Sequence, residues 1–460
     1  MIGHRVVASD DIGPPWSRIV TGPSYHDDLM ARLTSAEVFV PTAYPKYTYV
    51  PRDSLHHERL LAEWARSSTQ IASISGPSKA GKTVLVQRVV GEGNLVTVSG
   101  ASVRTPDQLW DRVLDWLGEP HVTVAGNQSS HADGSTKERT VNLGITGTGA
   151  GSRGGSSMVE TSGETLSATA NRRGLPQVVE ELAGTAYTLL LDDFHYIPQA
   201  IQTDIAQQLK DAASRGVRIC VASVPHRADN VVRALPELRG RVLAIDVEYW
   251  IKKDLLEIPR LGCAHLATFV DAESLSLFAR EAAGSPQLMQ SICLWMCNQL
   301  GVRETADAPR EVTLDDAARR EILYLTSCSV DFRSLTRAMI AGPKTRPGER
   351  QLYTHRDGRQ GDVYLTLLRA VAMDPPKLAL EKDELNRRLE DMCIGKHPDP
   401  ASVVRTCLAL GQIAQGFSAP TGPSLEWDDQ ESVLVIPDPY LLFYLRWSGM
   451  LEREATEVSS

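Results

Sequence analysis

The segment "GPSKAGKT", Gly76–Thr83, decides the fold, because it satisfies the pattern GxxxxGK[ST] between a short apolar strand and a helix. The predicted strand is "QIASIS", residues 70–75, and the predicted helix lies within "TVLVQRVVGEG", residues 83–93. Glycines at both ends of the loop let backbone N–H groups turn inward around a phosphate, and the helix adds its positive N-terminal end. The segment therefore predicts a phosphate-binding loop, or P-loop.

Every residue of the loop is a candidate ligand-binding residue: Gly76, Pro77, Ser78, Lys79, Ala80, Gly81, Lys82 and Thr83. In this pattern Lys82 reaches the β- and γ-phosphates of a nucleotide, and the Thr83 hydroxyl ligates Mg²⁺. The loop thus predicts that a nucleotide and Mg²⁺ are the cofactors.

The segment "LLLDDFHYI", residues 189–197, predicts the second half of the same site. A buried strand would present Asp192 to the metal through water, while Asp193 would act as a base or orient water. An aspartate is one methylene shorter than a glutamate, so we expect binding to outlast hydrolysis. His195 is either a sensor of the γ-phosphate or a packed or surface histidine. Ser223, at the end of the next strand, either touches that phosphate or is a solvated loop residue.

The chain of 460 residues is long enough for two or three domains. Strands and helices alternate around the P-loop, which predicts an α/β core with a parallel sheet. Toward the C-terminus, three helices and a two-strand wing predict a winged-helix-like domain. The predicted units are an N-terminal arm (1–45), a P-loop NTPase core (46–245) with a Gly/Ser/Thr-rich insertion (121–173), a helical region (246–312) and the winged-helix-like domain (313–460). The insertion is either a disordered loop or a protruding hairpin.

Composition places the chain among ordinary soluble globular proteins, with 42% hydrophobic and 23% charged residues. The net charge of -9 gives no global electrostatic footprint for nucleic acid. The 7 cysteines are scattered without a CxxC pair, as expected for free thiols in a reducing compartment. No apolar run is long enough to span a membrane, so we expect a cytoplasmic protein.

These motifs together resemble the AAA+ and STAND (signal-transduction ATPase) branch of the P-loop NTPases. "TYVPRDS", residues 48–54, resembles the segment that precedes the P-loop in these families, where Arg52 would help to hold the nucleotide. "PELRGRV", residues 236–242, resembles the segment that carries the arginine finger. The resemblance implies that Arg241, or else Arg239, acts on the phosphates bound by a neighbouring subunit.

"AAGSPQLMQSI", residues 282–292, resembles the GxP motif of the helical lid, where Pro286 would pack near the base. Gln287 stands where an AAA+ enzyme more often has a sensor arginine. The resemblance therefore implies an α/β P-loop NTPase core with a helical lid and a C-terminal winged-helix-like domain, with ATP and Mg²⁺ as cofactors. Gln287 and the Asp-Asp pair favour a slow switch over a fast motor.

Two functions follow from these features. The first is an ATP-driven switch that hydrolyses slowly, forms a homo-oligomer with ATP and acts on an effector protein, as STAND-type proteins of bacteria do in antiphage defence or signalling. The alternative is a DNA-handling ATPase of the origin-recognition or transposition-regulator kind. Against it, the candidate reading helix, residues 400–414, offers only Arg405, and the wing is acidic. A basic loop, residues 342–360, is the feature that could still contact DNA.

Overall fold

The structure is a computed structural model that describes residues 32–67, 70–118, 172–224, 240–343, 350–417 and 423–457. All but the last two residues of the 121–173 insertion lie outside these ranges, and so does Arg239. The choice between a disordered loop and a hairpin for the insertion therefore falls outside the described residues.

The first half of the chain forms a parallel sheet with helices between its strands. Its elements are, in chain order, α1 (Ser35–Val38), α2 (His57–Ser67), β1 (Ile71–Ser75), α3 (Lys82–Val90), β2 (Leu95–Ser99), α4 (Pro106–Trp116), α5 (Leu175–Leu182), β3 (Thr188–Asp192), α6 (Gln199–Ser214), β4 (Arg218–Ser223) and β5 (Val242–Asp246). Short 3₁₀ helices cover Asp53–Leu55, Glu92–Asn94, Gly100–Ser102 and Phe194–Tyr196.

The five strands lie in the order β2-β3-β4-β1-β5 and are all parallel. All five residues of β1 are buried, as expected for a central strand covered on both faces. One apolar cluster includes Trp110, Leu189 and Leu191, and the other includes Trp64, Ile74 and Leu190. Because successive residues of β3 enter different clusters, the two clusters lie on opposite faces of the sheet. Parallel strands also bring the carboxyl ends of β1, β3 and β4 to one edge.

A helical unit follows the sheet. Its elements are α7 (Lys252–His265), β6 (Thr268–Val270), α8 (Ala272–Glu281), α9 (Pro286–Gln299), β7 (Arg310–Val312) and α10 (Asp316–Ser327), with β6 and β7 paired in parallel. Its apolar core also contains Leu33, Val38 and Phe39, so the segment around α1 packs on this unit. We call this unit the lid.

The C-terminal unit has the order of elements of a winged helix. It contains α11 (Arg333–Ala341), β8 (Tyr353–Thr354), β9 (Arg359–Gly361), α12 (Val363–Val371), β10 (Ala379–Glu381), α13 (Lys382–Met392), α14 (Pro400–Gly416), β11 (Glu426–Asp428), β12 (Val433–Val435), α15 (Pro439–Trp447), α16 (Met450–Glu454) and β13 (Thr456–Glu457). Strand β12 pairs with β11 and with β10, both antiparallel. The predicted helices and wing are present, and β10 adds a third strand that the sequence analysis did not predict.

Helix α15 joins the lid to the C-terminal unit. Tyr440 and Phe443 belong to the apolar core of the lid, whereas Leu441, Leu442 and Leu445 belong to the core of the winged-helix-like unit. Within the described ranges, no helix combines the length and the apolar character that crossing a membrane requires.

Candidate nucleotide-binding site

The loop between β1 and α3 has a backbone that requires glycine at two positions. A Cβ at Gly76 would lie 2.5 Å from the carbonyl oxygen of Val247, which is closer than real Cβ atoms approach. Gly81 has φ +95°, in the left-handed region that L side chains rarely adopt. Both glycines of the motif are thus used for backbone geometry, and the loop curls over the carboxyl end of β1.

Lys82 and Thr83, the first two residues of α3, place their side chains at the mouth of the loop. Lys82 is buried, and its Nζ donates hydrogen bonds to the carbonyl oxygens of Gly76 and Pro77, each at 2.8 Å. The ammonium group is therefore held against the loop, where it can contact a phosphate bound there. The Thr83 hydroxyl donates to Oδ2 of Asp192 at 2.6 Å, across 109 positions of sequence.

The Asp-Asp pair ends β3 at the same edge of the sheet. Asp193 has φ 55° and ψ 43°, and its backbone N–H donates to Oδ1 of Asp192 at 2.9 Å. Burial, reinforced by the charge of Asp192 and opposed by Lys82, raises the pKa of Asp193 to about 6. A carboxyl group with a pKa close to neutrality, next to a P-loop, can accept a proton from water.

The backbone of Asp193 is fixed by a glycine that the sequence analysis did not identify. A Cβ at Gly100 would lie 2.4 Å from the carbonyl oxygen of Asp193, so that position tolerates only glycine. Gly100 follows β2, which is the neighbour of β3 in the sheet. No local signal marks this glycine, because its constraint comes from a strand that lies about ninety positions further along the chain.

Thr83 and Asp192 fit a magnesium ion by their chemistry. Both offer oxygen atoms, which are the ligands Mg²⁺ prefers, and they already meet at 2.6 Å. Among the described residues, no group of three or more His, Cys, Asp or Glu side chains could hold a metal. Thr83 and Asp192 therefore suit a magnesium ion that would take its remaining ligands from phosphate and water.

A cavity of about 1170 Å³ opens in front of the P-loop. Arg52 lines it, donates to the carbonyl oxygen of Glu248 at 3.3 Å and lies 5.0 Å from the ring centroid of Trp250. Pro286 and Gln287, at the start of α9, line it from the lid. The cavity thus brings together residues 77–83 of the P-loop with the predicted residues of the segment before it and of the lid.

His195 and Tyr196 line the same cavity, with their ring centroids 3.8 Å apart. Ser223 is buried at the end of β4, and its carbonyl oxygen accepts the N–H of Gly76 at 3.2 Å. The neighbouring Val224, rather than Ser223, is among the residues that line the cavity. The structure therefore places the Ser223 backbone against the P-loop.

Arg241 lies away from the site of its own chain. It is exposed and immediately precedes β5, and its carbonyl oxygen accepts the N–H of Ile71, the first residue of β1. Both residues therefore lie at the amino edge of the sheet, about 16 Å from the carboxyl edge for strands of five residues. The structure does not bring Arg241 to this P-loop, and its action on a neighbouring subunit stays a prediction.

The winged-helix-like unit contacts the P-loop directly. Nζ of Lys79 lies 2.7 Å from Oδ1 of Asp438, the residue before α15, and 4.3 Å from the ring centroid of Tyr440. The Tyr440 hydroxyl in turn lies 2.7 Å from Oγ of Ser291 on the lid helix α9. The sequence analysis missed this contact, because the two partners of the ion pair are 359 positions apart.

The wing faces the cavity with an acidic surface. Glu426, Asp428 and Glu431 line the cavity together with Asp438. The acidic wing therefore lies next to the P-loop.

The fold and the site define a P-loop NTPase: a parallel α/β core, a helical lid and a C-terminal winged-helix-like domain. No protein-family model and no curated protein matches the sequence. Among solved structures, the chain is similar to the ORC2 protein of Aeropyrum pernix in ADPNP-ADP complexes, at 12% identity over 91% of this chain and 98% of that one, with a TM-score of 0.45.

Two further solved structures show comparable similarity. The Walker-type ATPase of Pyrococcus abyssi has 12% identity over 86% of this chain and 96% of its own, with a TM-score of 0.45. Cdc6p from Pyrobaculum aerophilum has 13% identity over 93% of this chain and 100% of its own, with a TM-score of 0.40. The class of fold stated above rests on this chain's own strand order and P-loop geometry.

Proposed function

We propose that this chain is a slow ATP-driven switch of the AAA+/STAND-like type, whose winged-helix-like unit responds to the nucleotide. The observation that carries this proposal is the ion pair between Lys79 in the P-loop and Asp438 in the winged-helix-like unit. The two side chains are 26% and 23% exposed, so water screens their attraction less than it screens a surface pair.

A bound triphosphate competes with this contact. Its negative charges attract Lys79, which is part of the phosphate loop, and repel the carboxylates of Glu426, Asp428 and Asp438 across the cavity. ATP binding is therefore expected to release the wing from the P-loop. Loss of the γ-phosphate reduces the repulsion and favours the contact that the structure shows.

The roles of the site residues follow from their positions. Lys82 binds the β- and γ-phosphates, and Thr83 with Asp192 holds the magnesium ion, which neutralises charge on the phosphates when it is bound. Asp193 orients the attacking water and accepts its proton. Because an aspartate reaches one methylene less far than a glutamate, hydrolysis is slow and the ATP-bound state persists.

Assembly is the second part of the proposal. Arg241, or else Arg239, would act on the nucleotide of a neighbouring subunit, because Arg241 is exposed at the sheet edge opposite its own P-loop. ATP then favours a homo-oligomer that engages an effector protein in the cytoplasm, in bacterial antiphage defence or signalling. If so, Arg241→Ala lowers ATP turnover and leaves ATP affinity unchanged; unchanged turnover would remove Arg241 from the mechanism.

The test of the proposal measures ATP binding by calorimetry in the presence of Mg²⁺. Lys82→Ala should abolish binding, because it removes the side chain that contacts two phosphates. Asp438→Asn should strengthen binding, because it removes one carboxylate that repels the phosphates and frees Lys79. Retained affinity in Lys82→Ala would refute the P-loop assignment, and unchanged affinity in Asp438→Asn would refute the coupling to the winged-helix-like unit.

The alternative, a DNA-handling ATPase, has weaker support in the described residues. Arg350, Arg356 and Arg359 of the basic loop each contact an acceptor within their own unit: Asp362, the carbonyl oxygen of Asp391 and Asp357. DNA binding that weakens steeply with salt, and is lost on changing these arginines, would favour this alternative.

A further inference from the structure

Gln290 lies on the lid helix α9, one turn after Pro286, and lines the cavity. It is buried, with 4% of its surface exposed, and it shares the cavity with Thr48 and the apolar side chains of Val50 and Ile258. Helix α9 begins beside the P-loop, because Oγ of Ser285 lies 3.5 Å from the carbonyl oxygen of Lys79. A nucleotide whose phosphates occupy the loop would therefore share its cavity with Gln290.

The hydrogen bonds around Gln290 fix the orientation of its amide. The Thr48 hydroxyl lies 3.1 Å from the carbonyl oxygen of Val38, which can only accept, so the single hydroxyl hydrogen is used there. Oγ1 of Thr48 must then accept from Gln290, and the amide presents its NH₂ group to Thr48 at 2.7 Å. Oε1 of Gln290 is consequently the atom left over.

Oε1 of Gln290 is a buried acceptor that has no hydrogen-bond partner within the ranges that the structure describes. A buried carbonyl oxygen is normally paired, and one that is not paired favours a ligand that donates a hydrogen bond to it. Apolar neighbours around it suit the flat face of a base. The site therefore combines an apolar pocket with one acceptor of fixed orientation.

We infer that Gln290 determines base specificity by accepting a hydrogen bond from the exocyclic amine of adenine. A 6-oxo purine, such as hypoxanthine or guanine, places a carbonyl oxygen where adenine has the amine. Two acceptors would then face each other, and Oε1 would stay unpaired in the complex. This inference rests on the proposed nucleotide-binding function and adds the residue that selects the base.

The test compares ATP with ITP, which replaces the 6-amine by a carbonyl and leaves ribose and phosphates unchanged. Calorimetry on the full chain with Mg²⁺ should give an affinity for ATP that is roughly tenfold to a hundredfold higher than that for ITP, as expected for one unpaired buried acceptor. Gln290→Met, which keeps the length and removes the acceptor, should bring this ratio close to one.

Gln299→Met serves as the matched control, because Gln299 ends the same helix and is exposed. It should keep the ratio of the unchanged protein. Equal affinities for ATP and ITP in the unchanged protein would overturn the inference. An ATP-to-ITP affinity ratio that stays the same in Gln290→Met would also overturn it. Binding of neither nucleotide would instead contradict the proposed function itself.

Discussion

Asp193 is the residue whose surroundings say most about the chemistry of the site. It has a left-handed backbone and lies beside the P-loop. Burial and the neighbouring charge of Asp192 raise the pKa of its carboxyl group to about 6, and Lys82 offsets this increase only in part. The raised pKa means that ionising Asp193 is unfavourable in the folded chain. Placing a charged carboxylate there therefore lowers stability, as is common where a group is positioned for catalysis.

This pKa predicts a pH-dependent gain in stability for Asp193→Asn. Above about pH 6 the folded chain carries the ionised, partly desolvated carboxylate, so the neutral amide should raise the free energy of unfolding. As the pH falls from 6 toward the ordinary aspartate value of 3.8, the wild-type carboxyl becomes neutral and the gain should disappear. Urea unfolding of both proteins at several pH values measures this; a gain that does not change with pH would contradict it.

At the residue scale, sequence reasoning identified those parts of the site that lie in contiguous motifs. The P-loop and the Asp-Asp pair could be predicted because each follows a strand, and parallel strands end at one edge. Gln290, Gly100 and Asp438 could not, because their roles come from contacts with distant segments. A glutamine on a helix or an aspartate before one has no local pattern that marks such a contact.

At the scale of elements, Phe39 is one of the residues that hold the segment before α2 on the lid. Phe39 is fully buried against α7, where a Cβ at Gly262 would lie 2.2 Å from its Cζ. Residues 40–45 and 48–50 of the same segment line the cavity. Packing between Phe39 and a lid helix thus shapes the wall that this segment contributes to the cavity.

Gly262→Ala should disturb the packing of Phe39 and thereby lower both the stability of the chain and its affinity for the nucleotide. The added methyl group displaces Phe39, at a cost of about 1–3 kcal/mol for overpacking a core, and moves the cavity wall that follows it. Gly416→Ala is the control, since that position also lies in a helix and its Cβ would meet open space. Thermal unfolding and ATP titration of both variants measure the effect; equal behaviour of the two would show that Phe39 does not position the cavity wall.

The elements themselves were largely predictable, because long amphipathic helices and apolar strands have clear periodicity. The order of the strands in the sheet could not be predicted, because it depends on which strands pair and not on the sequence of any one strand. Strand β10 was missed for the same reason: three residues with one buried leucine, Leu380, carry too little pattern, and the strand exists because it pairs with β12. The wing therefore appeared from sequence as two strands rather than three.

At the scale of the whole molecule, a buried ion pair fastens the winged-helix-like unit to the lid. Arg446 on α15 donates to both carboxylate oxygens of Glu281, at 2.8 and 3.0 Å, and the Trp447 indole N–H donates to the same carboxylate at 2.8 Å. The side chains of Arg446 and Glu281 are 7% and 0% exposed. This ion pair connects the winged-helix-like unit to the lid, and we call it the lid joint.

Arg446→Met should destabilise the chain by about 3 kcal/mol, because the buried carboxylate of Glu281 then keeps, among the described residues, only the more exposed Arg280 as a counter-charge. Arg405→Met is the matched control: Arg405 is exposed on α14, and its loss should change the free energy of unfolding by less than about 0.5 kcal/mol. Chemical denaturation of both variants provides the comparison. A difference from the control below about 1 kcal/mol would mean that the lid joint contributes little to stability.

The central claim is that nucleotide binding at the P-loop changes how the winged-helix-like unit is held, and amide hydrogen exchange tests it most directly. A non-hydrolysable ATP analogue with Mg²⁺ should speed exchange in residues 425–438, because the phosphates draw Lys79 away from Asp438 and repel the acidic wing. Lys82→Ala, which should not bind, serves as the control and should show no change. Analogue binding at saturation with unchanged or slower exchange in residues 425–438 would contradict the claim.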